Sequence, residues 1–240
     1  MLTTDELTGR ASSHVVSHPL CRSSVKLQSQ AFAAYEAMHA AATAAGLGLD
    51  IASGFRDFER QRVIWNRKFS GNAPLYTSAG AQLDFASLAT GEIVEAIMTW
   101  SALPGASRHH WGTDLDVYDP RPFSSGQRKL ELVPEEYSEG GPCHELALWL
   151  QRHAGDFGFF FPYRRYRGGI AAEPWHLSYR AAAHQAHQQL TLDVLQHVIS
   201  NADITGKDYV LDCLASLKER YIDTICSATE EQEDSEWLFG

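Results

Sequence analysis

The sequence predicts a domain of mixed helices and short strands, and three stretches carry that expectation. Apolar residues recur at helical spacing over 25–45, through Leu27, Ala31, Ala34, Tyr35, Met38 and Ala42, which gives one apolar face. Asp114-Leu115-Asp116-Val117-Tyr118 alternates as a strand does, so Asp114 and Asp116 share one face and Leu115 and Val117 the other. Trp175-His176-Leu177-Ser178-Tyr179 reads as a further strand. Pro174 before it biases Glu173 toward extended backbone and argues against a helix.

Residues 1–24 are polar, with Ser pairs and Pro19, and read as an extended arm. Within it, Leu7-Thr8-Gly9-Arg10 either packs on the core or reaches the cleft. Gly46 stops the first helix. Leu47 to Ser53 is a short strand ending at Gly54. Asp57 caps a helix over 58–69 that carries Phe58, Val63, Ile64 and Trp65. Residues 70–91 form a long loop with one short helix, and Glu92 to Trp100 is a helix. Residues 119–142 are rich in Pro, Gly, Ser and Glu and read as an inserted surface loop. Cys143 to Phe157 is an amphipathic helix, and the aromatic run after it belongs to the core. Helices follow over 181–200 and 207–225, and the acidic segment 226–240 is expected to be mobile.

The chain has 240 residues, 44% of them hydrophobic, and a formal net charge of −10 from 20 basic and 30 acidic residues. That content supports a sizeable core, and the acidity disfavours a nucleic-acid partner, since phosphate binding rests on clustered Lys and Arg. The N-terminus has no basic start, apolar core or cleavage site, which reads as no signal peptide. No run approaches the ~18 apolar residues of a membrane span. The four cysteines, at 21, 143, 213 and 226, are scattered, which suits a reducing compartment. The expected location is the cytoplasm, with neither membrane nor nucleic acid as partner.

The chemistry concentrates in Ser107-Arg108-His109-His110-Trp111-Gly112-Thr113-Asp114-Leu115-Asp116 and in Glu173-Pro174-Trp175-His176. Two imidazoles and one carboxylate, here His109, His176 and Asp116, are a normal ligand set for a catalytic zinc with an open fourth position. Zinc lowers the pKa of a coordinated water from ~16 toward ~7 and polarises a carbonyl. The spare carboxylate, Glu173, suits a general base that takes the water's proton and passes it to the leaving amine. Glu173 and His176 would face opposite ways in a flat strand. Glu173 is therefore expected on the turn before the strand, bent back toward the metal. Gly112 allows the tight path between His109 and Asp116. His110 is the rival of His109 as ligand. His184 and His187 lie on one helical face without a matching carboxylate and read as a surface helix.

Ser107-x-His109-x-x-Gly112-x-x-x-Asp116 with Glu173-x-Trp175-His176 resembles the zinc D-alanyl-D-alanine carboxypeptidases of the VanY type, within the superfamily that also holds lysostaphin-like peptidases and the hedgehog domain. Ser53-Gly54-Phe55-Arg56-Asp57-Phe58-Glu59-Arg60-Gln61 resembles a third segment of that family. The resemblance covers about residues 25–180. It implies an α+β fold, with a small antiparallel sheet carrying one zinc per chain, helices flanking it and a C-terminal helical appendage. It selects His109 over His110. It implies that Arg56 either stabilises the oxyanion or clamps a substrate carboxylate, and that Ser107 and Gln61 contact substrate. The family usually has a small residue at position 114, and Asp114 departs from that. The domain division implied is an arm over 1–24, a catalytic domain over 25–180 and an extension over 181–240.

The expected activity is removal of terminal D-alanine from peptidoglycan peptides. In the cytoplasm, recovered tetrapeptides are the wall peptides to be trimmed, so an L,D-carboxypeptidase of murein recycling is expected ahead of a D,D-carboxypeptidase on pentapeptides. An endolysin-like peptidase would carry a wall-binding domain or a basic surface, and neither is visible. A non-haem iron oxygenase pairs His and carboxylate across a single residue, unlike the spacing here. A non-catalytic metal-binding module would have no use for Glu173 and Arg56.

Overall fold

A computed structural model of the chain describes residues 1–22 and 24–227. The N-terminal residues fold back instead of extending. α1 (Thr4–Leu7) opens on a capping box in which the Thr3 hydroxyl accepts from the Glu6 amide and the Glu6 carboxylate from the Thr3 amide. β1 (Val16–Ser17) pairs with β2 (Lys26–Leu27) in a two-stranded ribbon. The arm expected to be extended is anchored by Leu7, which is buried, and by Gly9, whose carbonyl accepts from the Phe58 amide.

α2 (Ser29–Ala44) buries Ala31, Phe32, Tyr35, Met38 and Ala42, the stripe its spacing predicts. It ends as expected at Gly46, where the amides of Gly46 and Leu47 reach back to the carbonyls of Thr43 and Ala42. β3 (Asp50–Ser53) leads to α3 (Phe58–Phe69), and Asp57 caps α3 by accepting the Arg60 amide at 2.7 Å. α4 (Thr90–Trp100), β4 (Asp114–Tyr118), α5 (His144–His153), β5 (Phe159–Phe160) and β6 (His176–Tyr179) follow. The four longer-range strands form an antiparallel sheet in the order β3-β4-β6-β5. The architecture is α+β.

The two faces of this sheet have different tasks. Ile51, Leu115, Val117 and Leu177 pack against Phe32 and Met38 of α2 and Leu146 and Leu150 of α5. Burying each such side chain contributes ~1.5–3 kcal/mol. A one-residue slip of β4 would turn Asp116 into that core and Val117 out of it, so the apolar face holds the register. On the opposite face Asp116 lies across from His176 and Asp114 across from Ser178.

The helices expected over 181–200 and 207–225 are each interrupted. α6 (Arg180–Gln189) and α7 (Leu192–Ser200) are separated because the Thr191 side chain accepts from the Val194 amide and starts a new helix. α8 (Lys207–Asp212) and α9 (Leu214–Lys218) are followed by a π-helical turn, Glu219–Asp223. Likewise α5 passes into a 3-10 turn, Ala154–Phe157, before the aromatic run. The C-terminal helices bury Ala183, Leu195, Val198 and Leu217 in one cluster with Trp65, Ile97 and Trp111. The Trp65 indole donates to the Thr205 carbonyl at 3.0 Å. They therefore share a core with the sheet-bearing part of the chain. The acidic tail lies outside the described residues from 228 onward.

Gly112 links the two parts of the site. Its φ is 66°, and a Cβ there would run into Val15 Cγ1. Gly140 has a similar φ of 77° with open space around it. Gly112→Ala is expected to cost ~1–3 kcal/mol, more than Gly140→Ala. Thermal unfolding of both variants tests this, and equal losses would show that crowding by Val15 is immaterial.

Candidate active site

Three groups converge on the polar face of the sheet. His109 comes from a 3-10 turn, Arg108–Trp111, that Gly112 closes. Gln28 pins this turn, its side-chain amide donating to the Trp111 carbonyl at 2.7 Å and its backbone amide to the Gly112 carbonyl at 2.8 Å. Asp116 and His176 come from the paired strands β4 and β6. One ligand atom from each of the three lies within 4.8 Å of the others, and all three residues are buried.

Hydrogen bonds behind the rings determine which nitrogen faces the centre. His109 Nδ1–H donates to the Gly54 carbonyl at 2.9 Å, which leaves Nε2 toward Asp116 Oδ2 at 3.4 Å. His176 Nε2–H donates to Asp114 Oδ1 at 2.9 Å, which leaves Nδ1 toward Asp116 Oδ1 at 3.4 Å and Glu173 Oε2 at 3.1 Å. His110 takes no part: its Nδ1–H donates to the Arg56 carbonyl and its Nε2 accepts the Gly105 amide. Burial holds His110 neutral, down to about 3.

The electrostatics call for one more cation. Burial would raise the Asp116 carboxyl, but the charges of His109, His176 and Arg56 and a hydrogen bond from His109 hold it below the usual range. Burial would depress the His176 imidazole, yet hydrogen bonds to Asp114 and Glu173 and the charge of Asp116 push it up to about 10. A proton on His176 thus stands in for positive charge that the carboxylates attract. Asp116 Oδ1 is buried and has no hydrogen-bond donor. An orphaned carboxylate oxygen beside two imidazole nitrogens, which offer lone pairs once they give up their protons, is a donor set that zinc satisfies.

Glu173 sits on the turn before β6, where its carbonyl accepts the His176 amide at 3.1 Å and its amide donates to the Tyr163 carbonyl at 2.9 Å. The carboxylate thereby bends back to the ligand cluster, as the sequence predicts. Arg56 lines the same cavity, of about 860 Å³, as do Ser107 and Lys68. The Arg56 guanidinium donates to Gln61 Oε1 at 2.9 Å and Ser53 Oγ at 3.2 Å. Both partners are neutral, so its charge is not cancelled by Asp57 or Glu59. Gln61 lies behind Arg56, fully buried, with its amide spent on Arg56 and on the Ala102 carbonyl. It is not among the residues lining the cavity. That location suits holding Arg56 better than the substrate contact expected of it.

Two features of the site take their meaning only from the structure. Lys68 donates to Ser101 Oγ at 2.7 Å, and burial and the Arg56 charge pull its amine down to about 8 against the opposing pull of Glu173. Its signal was helical: Gln61, Ile64 and Lys68 fall on one face of α3. The other feature is Asp114, buried beneath His176.

The family model VanY, D-alanyl-D-alanine carboxypeptidase, matches residues 24–182. An uncharacterised protein of Haemophilus influenzae is 35% identical over 126 residues, which are 52% of this chain and 95% of that protein. The fold is similar to that of the vancomycin-resistance D,D-pentapeptidase VanY in complex with Zn(II), at TM-score 0.50 and 23% identity, over 77% of this chain and 90% of that one. It is equally similar to the LD-carboxypeptidase LdcB, at TM-score 0.50 and 23% identity, over 84% of this chain and 79% of that one.

The chain is expected to bind one zinc ion. His176→Ala should lose it, and His110→Gln should keep it in the folded fraction. Metal content by mass spectrometry after dialysis checks both, and full occupancy in His176→Ala would remove that residue from the ligand set.

Proposed function

The chain belongs to the VanY family of D-alanyl-D-alanine carboxypeptidases, zinc enzymes of peptidoglycan peptides, and on that premise we propose that it releases terminal D-alanine with Glu173 as general base. The observation that carries this is the position of Glu173 Oε2, 3.1 Å from His176 Nδ1. A carboxylate beyond the three ligands sits at the ligand atoms themselves.

In this reading His109, Asp116 and His176 hold zinc, which when bound supplies Lewis acidity toward water and the scissile carbonyl. Glu173 Oε2 takes the proton of the attacking water and returns it to the nitrogen of the departing D-alanine. Arg56 faces the developing negative charge on the carbonyl oxygen with a guanidinium whose hydrogen-bond partners, Gln61 and Ser53, are neutral. Gln61 and Ser53 keep that guanidinium in one orientation. Ser107 contributes a buried wall of the cavity and is the proposed substrate contact there.

The finer reading is an L,D-carboxypeptidase that shortens tetrapeptides to tripeptides in the cytoplasm. All four cysteines are free, which suits a reducing compartment, and no described helix is long and apolar enough to cross a membrane. The wall peptides met in such a compartment are new pentapeptide precursors and recovered tetrapeptides, and trimming the precursors would deprive the wall of its donor. The fold shared with LdcB is compatible with this stereochemistry, and the fold shared with the D,D-pentapeptidase is the reason to test it.

Glu173→Gln is expected to retain zinc and fold and to lose ~10²–10⁴-fold in kcat. Metal content and turnover measured on one preparation check it, and near-wild-type turnover would place the base elsewhere. On purified muropeptides, kcat/KM should be higher for the tetrapeptide than for the pentapeptide. The reverse preference would make the enzyme a D,D-carboxypeptidase and leave the zinc chemistry standing.

A further inference from the structure

Asp114 occupies a position where the resemblance expects a small residue, and it is fully buried. A carboxylate there must be stabilised or it would not remain ionised. Its two oxygens receive four donors. Oδ1 accepts His176 Nε2–H at 2.9 Å and Arg108 Nε–H at 2.8 Å. Oδ2 accepts the Thr113 hydroxyl at 2.6 Å and the Ser178 hydroxyl at 3.1 Å. Arg108, itself buried, also donates to Ser178 Oγ at 2.6 Å and lies over the Trp111 ring at 4.7 Å. The cross-strand register places Ser178 directly opposite Asp114. The carboxylate is thus fixed from several sides, and one of its oxygens points at His176.

The opposite side of the same ring explains why this matters. His176 Nδ1 faces Glu173 Oε2 at 3.1 Å and Asp116 Oδ1 at 3.4 Å. Two carboxylates there would draw the single proton of a neutral imidazole to Nδ1. That tautomer has no lone pair to offer a metal on the side where the ligands meet. Asp114 competes for the proton at Nε2, with its own orientation already set by Arg108, Thr113 and Ser178.

We propose that Asp114 is a positioning residue that holds the His176 proton on Nε2, so that Nδ1 is presented to the metal, and that Arg108 and Ser178 hold Asp114 in place to do so. The proposal rests on the zinc reading above and concerns a residue that does not touch the metal. An imidazole ligand whose far nitrogen is held by a carboxylate is better oriented and more basic, and loss of such a partner typically weakens metal binding by 10–100-fold. Here the partner also decides between tautomers, because its rivals are carboxylates of the site itself.

The test uses the zinc-free protein and zinc titration, not turnover. Asp114→Ala should raise the zinc Kd by ~10–100-fold, and nitrogen-15 NMR of the zinc-free protein, recorded at a pH alkaline enough for the His176 imidazole to be neutral, should show its remaining proton moved from Nε2 to Nδ1. Asp114→Asn keeps a carbonyl oxygen at the same place and should retain Nε2–H, with a Kd rise smaller than that of Asp114→Ala. Because Asp114→Ala leaves Arg108 buried and unpaired, the double variant Arg108→Met/Asp114→Ala is measured beside it. It removes both charges and should show the same Kd rise and tautomer change in a folded protein. An unchanged Kd with Nε2–H retained in the folded double variant would overturn the role of Asp114. A wild-type protein that binds no zinc would instead overturn the metal reading beneath it.

Discussion

The pairing of Asp116 with His176 across β4 and β6 sets every other distance in the site. Directly opposed residues of an antiparallel pair project to the same side, so these two meet without a loop to carry them. The energy that holds this register comes from the far side of the sheet, where Leu115, Val117 and Leu177 are buried under α2 and α5. His109 is then added by the turn that Gly112 closes, and Glu173 by the bend ahead of β6. Site and core are two faces of one short sheet. A change on the apolar face therefore reaches the ligands through register and not through contact.

Around this pair the charges are arranged in layers. Asp116 and Glu173 face the centre, and Asp114 stands behind His176. Arg108 balances Asp114 from within the protein. Arg56 and Lys68 border the cavity and take neutral partners, Gln61 and Ser53 for one and Ser101 for the other. Their charge is therefore directed at the cavity, where an acidic substrate terminus or a developing oxyanion would meet it. The metal completes the inner layer, which otherwise holds an orphaned carboxylate oxygen.

The ligand set was legible in the sequence because it lies in two short runs whose residue types have few other uses in combination. The Asp57 cap, the α2 stripe and the position of Glu173 were legible for similar local reasons: a capping residue, a helical period and a proline each act within a few residues. What escaped depends on pairing between distant segments. Asp114 reads as a departure from a pattern until Ser178, from the neighbouring strand, and Arg108 are seen to surround it. Lys68 lies about two helical turns beyond the motif that draws attention to Arg56. The N-terminal arm has only two buried apolar side chains among the described residues, Leu7 and Val15, and composition alone reads it as solvated. The interruption at Thr191 shows a cap overriding a longer apolar period. The family resemblance favours His109 over its neighbour His110, and the partners of their ring nitrogens give the physical reason.

The core shared between Trp111 and the helices of residues 180–223 bears on how this chain is made. On the ribosome, His109 and Asp116 emerge well before His176, and the residues that bury Trp111 emerge later still. β4 has no partner in β6 until that point, and its edge stays open to other chains. Contacts this far apart in sequence are slow to form, and a partly synthesised chain with exposed apolar surface is prone to aggregation. The nascent chain thus offers a histidine and an aspartate without the third ligand or the dry wall behind them. Assembly of the centre is a late, near-global event, coupled to the arrival of segments that never touch the metal.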